Sequence, residues 1–283
     1  DTYPNGAPAV YVAVGSSFPD GLAAAPAAAR AGGPLLLTPS TSLPASVRSE
    51  IQRLKPERIV VVGGSGVISN AVYNQLSSLA PSIRRDSGAD RYATANAIAR
   101  AGFPSGASIA FVASGGDFPD ALSASAAAGA LGGPVVLVPP GSRSMPQPTR
   151  ELLRDLGVRT VVLVGGTGVL PGGSLVDSIR SISTVNSVSR QSGPDRYSTA
   201  AAVNAYAFPT TTSAYIASGT NFPDALSAAA AAGARGAALH LSPGRCLPVG
   251  SASHLASAGV VQVTLLGGTS IIANPPQSLQ PCR

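Results

Sequence analysis

A seven-residue segment that recurs three times constrains this sequence more than any other feature. Each copy has the order polar residue, Phe, Pro, Asp, small residue, Leu, small residue, and the copies begin at Ser17, Asp117 and Asn221. Their aspartates, Asp20, Asp120 and Asp224, are spaced by 100 residues (20 to 120) and then 104 residues (120 to 224). Self-similarity at such a period is typical of a chain built from repeated structural units.

Other landmarks keep nearly the same spacing. A Gly-Gly-Pro segment followed by apolar residues occupies 32–37 and 132–137, with a weaker match at 235–240, and a hydrophobic-Gly-Gly segment ends at 64, 166 and 268. A Gly-x-Asp-Arg-Tyr-x-Thr-Ala segment has two copies, at 88–95 and 193–200. We therefore predict three units, over 1–102, 103–207 and 208–283. The first lacks its N-terminal Asp-Arg-Tyr helix, and the third is divergent.

Within each unit, segments typical of strands alternate with segments typical of helices. The apolar run 10–14 predicts a buried strand, and the Ala-rich segment 19–30 predicts a helix that ends at the following glycines. Val47, Ile51 and Leu54 recur at helical spacing between two further strands. Strands that alternate with helices favour parallel pairing, so we predict an α/β fold with a three-layer arrangement in each unit.

The charge balance narrows the range of partners. Formal net charge is +6, and Lys55 is the only Lys, so nearly all cations are Arg, which suits contact with phosphate or carboxylate groups. We find no Lys/Arg run and no nucleic-acid-binding motif, which favours an anionic polymer outside the cell over nucleic acid. Apolar stretches such as 121–130 are too short to span a bilayer.

Cys246 and Cys282 are the only cysteines. An even count in this composition favours one disulfide, although two buried free thiols remain the alternative. Two Cys and two His at this spacing cannot build a metal cluster, and no cofactor is expected. The chain starts at Asp1 without Met, which is typical of a mature or excised fragment.

The repeated aspartates have two interpretations. Asp20, Asp120 and Asp224 fit the acid of a capping box, in which an acid three residues into a helix bonds back to a polar N-cap. They would otherwise be binding or catalytic residues at the carboxyl end of a strand. Capping alone accounts for every residue type, so we favour the structural role.

The glycine and arginine motifs are also open to two interpretations. The Gly-Gly-x-Gly segments at 63–66 and 165–168 predict tight turns, although such turns can also hold phosphate on backbone N–H groups. Arg91 and Arg196 would either tie two units together through a carboxylate or face an anionic ligand, and the sequence does not decide between them. The preceding Asp is a plausible helix cap.

A catalytic site has little support. A nucleophile, base and acid would need a His, but His240 and His254 occur only in the third unit. The same Asp in three units fits three equivalent positions better than one active site. We therefore predict no catalytic residues.

Four repeated segments carry a resemblance to a known family: Phe-Pro-Asp, Gly-Gly-Pro, hydrophobic-Gly-Gly and Gly-x-Asp-Arg-Tyr-x-Thr-Ala. Together they resemble the cell wall binding repeat 2 family over essentially the whole chain. The resemblance implies three Rossmann-like or Toprim-like subdomains with parallel sheets, packed as a pseudo-trimer. It also implies non-covalent attachment to an anionic secondary wall polymer. A segment that the family links to polymer binding corresponds here to Pro34, Leu35, Leu36, Leu37, Pro134 and Leu137. The third unit has 236–239 there, without the Pro.

The function expected from charge, repetition and resemblance is a non-catalytic module that attaches a secreted protein to the bacterial cell wall or cell surface. Its ligand sites are expected at the repeated Asp and Arg residues and at the Pro-apolar segments. A flanking effector domain or a secreted protein are further expected partners. The alternatives are a wall-active hydrolase and a secreted protein–protein interaction module.

Overall fold

The computed structural model describes residues 2–273 and 279–282. The first unit holds, in chain order, β1 (Ala9–Val14), α1 (Pro19–Arg30), β2 (Leu35–Thr38), α2 (Ala45–Leu54), β3 (Arg58–Val62), α3 (Asn70–Ser77) and β4 (Ser82–Asp86). Helix α4 (Arg91–Gly102) leads to the second unit.

The second unit repeats this order. It holds β5 (Ile109–Ser114), α5 (Pro119–Ala130), β6 (Val135–Val138), α6 (Gln147–Asp155), β7 (Thr160–Val164), α7 (Ser174–Arg180) and β8 (Ser187–Gln191), and α8 (Arg196–Ala207) follows it. The third unit holds β9 (Ser213–Ser218), α9 (Pro223–Arg235), β10 (Ala238–Ser242), α10 (Val249–Ser257) and β11 (Gln262–Leu265).

Each unit forms its own parallel sheet. The strand orders are β2-β1-β3-β4, β6-β5-β7-β8 and β10-β9-β11, and every recorded pair of neighbouring strands is parallel. The predicted α/β class with three tandem parallel-sheet units is therefore confirmed. The boundaries given above for the three units stay a prediction, because the helices that join them belong structurally to two units at once.

The sheet register corrects the sequence alignment of the third unit. Tyr11 pairs with Leu35, and the equivalent Tyr215 pairs with Leu239, which makes Ala238 the counterpart of Pro34. Gly236, at φ 63°, takes the same left-handed turn as Gly32 at φ 67°. Alignment of 236–239 with the Pro-apolar segment was wrong, because Gly236 lies 12 residues after Asp224, as Gly32 lies 12 residues after Asp20, and is therefore the counterpart of Gly32. The absence of the Pro from the third unit is unchanged.

Three equivalent helices meet around one axis. Helices α1, α5 and α9 pack on one another. Near their N-termini the rings of Phe18, Phe118 and Phe222 form a triangle with centroid separations of 5.7 to 5.9 Å. Near their C-termini Gly129 and Gly233 approach Ala29 so closely that a Cβ on either glycine would lie 3.0 Å from a neighbouring atom. The abundance of Ala in these helices follows, because small side chains let three helices share one axis.

The joining helices cross from one unit to the next. Helix α4 packs on α1 and on β6 of the second sheet, and α8 packs on α5 and on β10 of the third sheet. Each covers the outer edge of a sheet that belongs to the following unit. Within residues 2–273 and 279–282, no helix of this kind lies along β2, where α9 makes the contact.

The third unit ends differently from the other two. In the described residues its sheet has three strands, and the chain at 279–282 lies beside the loop that begins α10 instead of extending the sheet. Leu247 donates its N–H to Gln280 O, and Cys282 donates to Leu247 O. Cys246 and Cys282 form the predicted disulfide, which closes a loop of 36 residues' separation and stabilises the folded chain by about 2–4 kcal/mol.

The third unit also contains a buried histidine pair. His254 Nε2–H donates to Phe208 O at 2.9 Å, so its Nδ1 accepts from His240 Nε2–H, also at 2.9 Å. Asn204 Nδ2 lies 3.5 Å from His240 Nδ1 and also donates to Leu239 O. This chain of hydrogen bonds ties α8 to β10 and α10. Among the described helices, none is both long and apolar enough to cross a bilayer.

Candidate functional site

The Phe-Pro-Asp motif, the glycine turn and the Asp-Arg-Tyr motif come together at the carboxyl ends of the strands. In unit 1, the loop after β1, the glycine turn after β3 and the loop before α4 enclose a cavity of about 310 Å³, which we call cleft 1. The equivalent loops of unit 2 enclose about 340 Å³, which we call cleft 2. Ligands of open α/β sheets bind at this end of the strands, where successive loops meet. The two clefts are therefore the candidate site.

The repeated aspartates lie in these clefts but do not form the predicted capping boxes. Residue 18, a Phe with helical backbone angles, occupies the N-cap of α1 and makes no side-chain cap bond, and α5 and α9 begin in the same way. Asp20 turns instead toward Gly63, where any Cβ would collide with its carboxylate. Asp120 does the same beside Gly165. The capping-box prediction was wrong, because the carboxylate finds a position next to a turn 43 residues farther along.

This contact explains why the turns require glycine. Gly63 and Gly165 have φ of 97° and 116°, in the left-handed region that other residues rarely adopt. They also leave the space that the aspartate carboxylates fill. The prediction of tight turns agrees with this geometry.

Burial sets the electrostatics of the two aspartates. Asp20 is 9% exposed, and among the described residues its carboxylate has no hydrogen-bond partner. Burial raises the pKa of Asp20, and the nearby Arg91 guanidinium opposes this shift. Burial also raises the pKa of Asp120, the negative charge of Asp117 adds to that shift, and Arg196 and Thr199 oppose it. Both carboxylates therefore pay a desolvation penalty that their neighbours offset only in part.

The two motif arginines connect neighbouring units. Arg91 Nη1 donates to Gly115 O and Arg196 Nη1 donates to Gly219 O, each at 2.6 Å. Their guanidinium groups lie 5.9 Å from the Phe18 ring centroid and 5.7 Å from the Phe118 ring centroid. Of the two, Arg196 also forms an ion pair within the described residues, with Asp117 at 3.7 Å. The link between units therefore runs mainly through backbone carbonyls and aromatic rings.

The aspartates before these arginines are helix caps, as predicted. Asp90 Oδ1 accepts from the backbone N–H groups of Tyr92 and Ala93 at 2.9 and 2.8 Å. Asp195 Oδ1 accepts from Ser198 N at 2.7 Å, and this backbone bond is the main reason that its pKa is lowered. These bonds fix the loop that closes one side of each cleft.

Replacing Asp195 with Ala should lower the free energy of unfolding by about 1 kcal/mol, because the first turn of α8 loses its cap. Urea unfolding followed by circular dichroism measures the change. Asp195→Asn is the matched control, since Asn caps a helix about as well as Asp and should retain most of the stability. Equal losses for the two variants would contradict the capping role.

Two further arginines support the site, and the sequence interpretation missed them. Arg85 Nη1 donates to Gly63 O at 2.8 Å and Arg190 Nη1 donates to Gly165 O at 2.6 Å, so each holds a glycine turn in place. Burial lowers the pKa of both guanidinium groups. The two arginines are 105 residues apart (85 to 190), the same interval that separates Asp90 from Asp195. That shared interval was the signal that could have identified them.

The other predicted ligand residues lie outside the clefts. Asp224 is exposed, because in the described residues no Asp-Arg-Tyr helix stands opposite it. Residues 34–37 and 134–137 overlap β2 and β6, and their side chains are buried or partly buried. Leu137 is 0% exposed. Contact between these segments and a polymer stays a prediction.

Comparison with known proteins identifies one matching family and related proteins of known sequence. The family described as Cell wall binding domain 2 (CWB2) matches residues 3–73, 85–173 and 190–275. N-acetylmuramoyl-L-alanine amidase LytC of Bacillus subtilis (strain 168) is 29% identical over 259 residues, which are 92% of this chain and 50% of the relative. The Amidase enhancer of the same organism is 25% identical over 256 residues, which are 90% of this chain and 34% of the relative.

Two solved structures share the fold. Cwp8 from Clostridium difficile superposes with a TM-score of 0.84 at 27% identity, over 95% of this chain and 46% of that chain. Cwp6 from the same organism has a TM-score of 0.86 at 24% identity, over 94% of this chain and 42% of that chain. The chain thus spans half or less of each of these four proteins. The family match covers most of the sequence in three repeats, so the chain belongs to the cell wall binding domain 2 family and is a cell-wall binding module.

Proposed function

We propose that this module holds a secreted protein at the bacterial surface by binding an anionic cell-wall polymer without a covalent bond. The observation that carries the proposal is the combination of the family match with a formal net charge of +6. A disulfide-bonded chain suits the oxidising conditions outside the cytosol. Phosphate and carboxylate groups of the polymer are the expected contacts of its arginines.

Several cations are placed to make such contacts. Their side chains are exposed and, among the described residues, form no ion pair; they are Lys55, Arg143, Arg159, Arg180 and Arg245. They are spread over all three units. Contacts from several units to one polymer chain would add avidity to weak individual sites.

The proposed module is not itself a hydrolase. One relative is named an amidase, but this chain matches only 50% of its length, so that activity does not transfer to the chain. His240 and His254 are buried against each other in the third unit, and neither lines cleft 1 or cleft 2. Neither imidazole can act there as a general base toward a bound glycan. Purified module should therefore release no soluble fragments from peptidoglycan.

Retention on purified cell walls should decrease as salt increases from about 0.1 M to about 1 M, because the Debye length falls from about 10 Å to about 3 Å. Pelleting of the module with intact walls, and with walls stripped of anionic polymer, measures this effect. The double variant Arg143→Gln and Arg180→Gln should bind more weakly. The double variant Arg100→Gln and Arg154→Gln is the matched control, because these two arginines already pair with Asp155, at 3.3 and 3.1 Å. Salt-independent retention, or equal retention on stripped walls, would contradict an anionic partner.

A further inference from the structure

We propose that clefts 1 and 2 recognise uncharged, hydroxyl-bearing sugar residues of the wall polymer, with the carboxylates of Asp20 and Asp120 as the hydrogen-bond acceptors. This inference rests on the proposed function and deepens it. It separates two tasks: exposed arginines attract the charged groups of the polymer, and the clefts select its sugars.

The charges in the clefts disfavour an anion. Cleft 1 contains two carboxylates, Asp20 and Asp90, and one guanidinium, Arg91. Cleft 2 contains three carboxylates and one guanidinium, and its residues are Asp117, Asp120, Asp195 and Arg196. A phosphate group placed in either cleft would meet an excess of like charge. The net positive charge of the protein therefore lies elsewhere on its surface.

The cleft arginines are already engaged by the protein. Each donates to a backbone carbonyl of the next unit at 2.6 Å and lies over a phenylalanine ring. These contacts hold each guanidinium in place between two units. The arginines thus have a structural role in forming the clefts, and the carboxylates outnumber them there.

Asp20 supplies a hydrogen-bond acceptor that no group in the described part of the protein occupies. Its side chain lines cleft 1, it is 9% exposed, and none of the described residues donates a hydrogen bond to it. Its carboxylate lines the cleft, so ligand hydroxyl groups that enter the cleft can donate to it in place of water. Hydrogen bonds from hydroxyl groups to a carboxylate are charge-assisted and short, so they are stronger than hydrogen bonds between two neutral groups. Sugar rings present such hydroxyls in fixed directions.

Two alternatives fit the clefts less well. Among the described residues, no three His, Cys, Asp or Glu side chains are grouped closely enough to hold a metal ion. Volumes of about 310 and 340 Å³ lie at the small end of the range of about 300–1,000 Å³ for ligand sites. This size suits one or two sugar residues and excludes a longer glycan segment from lying wholly inside.

The chain contains its own control for this proposal. Asp224 is equivalent to Asp20 and Asp120, but it is exposed and has no second wall opposite it in the described residues. Replacing it removes the same charge without altering a cleft. A general electrostatic effect of removing carboxylates would appear in all three variants, whereas loss of sugar recognition would appear only in the first two.

The first experiment uses the unsubstituted chain and neutral wall oligosaccharides, prepared by treating wall polymer with hydrofluoric acid to cleave phosphodiesters. In nuclear magnetic resonance titrations these oligosaccharides should shift the amide signals of Gly64, Gly88, Gly166 and Gly193, which line the clefts. Inorganic phosphate should leave them unchanged. Absence of these shifts, or stronger shifts with phosphate, would overturn the proposal. Shifts with the cationic sugar glucosamine but not with the neutral oligosaccharides would also overturn it.

The second experiment compares affinities for untreated polymer. The double variant Asp20→Asn and Asp120→Asn should bind at least about tenfold more weakly, and Asp224→Asn should bind like the unsubstituted chain. If polymer phosphates occupied the clefts, loss of two negative charges would strengthen binding instead, so the sign of the change decides. Thermal melting verifies that the variants are folded. Normal binding of polymer by the double variant would overturn only the cleft proposal, whereas failure of the unsubstituted chain to bind polymer would overturn the proposed function.

Discussion

Lowering the pH from about 7 to about 4 should destabilise the chain by several kcal/mol, with the third unit opening first. Burial and the neighbouring His254 lower the pKa of His240 to about 3, whereas an unfolded chain has a histidine pKa of about 6.5. Above pH 6.5 neither state binds the proton, so the stabilisation is complete. Between pH 6.5 and pH 3 the unfolded state binds a proton that the folded state excludes, so stability falls as the pH falls.

The groups that face His240 define where the effect should be seen. Asn204 on α8 and His254 on α10 are its hydrogen-bonding neighbours, and no carboxylate pairs with it among the described residues. Hydrogen exchange should therefore accelerate first in α8, β10 and α10. The raised pKa values of Asp20 and Asp120 act in the opposite direction, because their folded forms bind protons more readily, and they reduce the net loss.

A double variant isolates the histidine contribution. Sheet register places His240 opposite Ile216 as Val136 lies opposite Val112, and the helix starts at Pro146 and Pro248 place His254 where unit 2 has Leu152. His240→Val with His254→Leu therefore installs the residues of unit 2. Urea unfolding at a series of pH values should give a much flatter profile between pH 6.5 and pH 4 for this variant. An unchanged profile would show that the pair does not control acid stability.

Replacing Gly233 with Leu should destabilise the chain by about 3 kcal/mol or more, or prevent folding. A Cβ at this position already lies 3.0 Å from Gly129 Cα and 3.2 Å from Ala126 O, so a leucine cannot fit without separating the central helices. Overpacking of this kind costs more than the gain of up to about 1 kcal/mol in helix propensity. The unfolding midpoint in urea measures the effect.

The neighbouring residue supplies the control. Ala234 lies on the exposed face of the same helix, so Ala234→Leu should leave the unfolding midpoint nearly unchanged. The two variants add similar side chains to adjacent positions and differ in the direction that each faces. Equal stability of the two would mean that the close contact of α5 and α9 at Gly129 is not needed for folding.

Much of the architecture could be predicted from the repeats. Alternating strands and helices predicted parallel sheets, and the cysteine count predicted the disulfide. The packing of α4 on β6 was not predictable, because the order of elements along a chain does not state which sheet a helix covers. The position of Asp20 beside Gly63 was missed for a similar reason: residue types that suit a capping box also suit a contact with a distant turn, and only tertiary structure separates the two.

The site was predicted less completely than the fold. The aspartate, glycine and arginine motifs were each identified, but their convergence into clefts depends on loops from three different strands. Arg85 and Arg190 went unnoticed because their neighbours in sequence form no recognised motif. The contact between the two histidines was also missed, since they are 14 residues apart and no other unit has a histidine at these positions.

The packing of α1, α5 and α9 around one axis also limits how such a protein can evolve stronger attachment. In a solenoid each repeat contacts only its neighbours, so a gene can lengthen the array one repeat at a time. Here each central helix contacts both of the others, and Gly129 and Gly233 lie where the helices come closest together. A fourth copy would have no place at that axis. Selection for tighter attachment would therefore act on the loops and surface charges of the three existing units. A further gain would require duplication of the whole three-unit module.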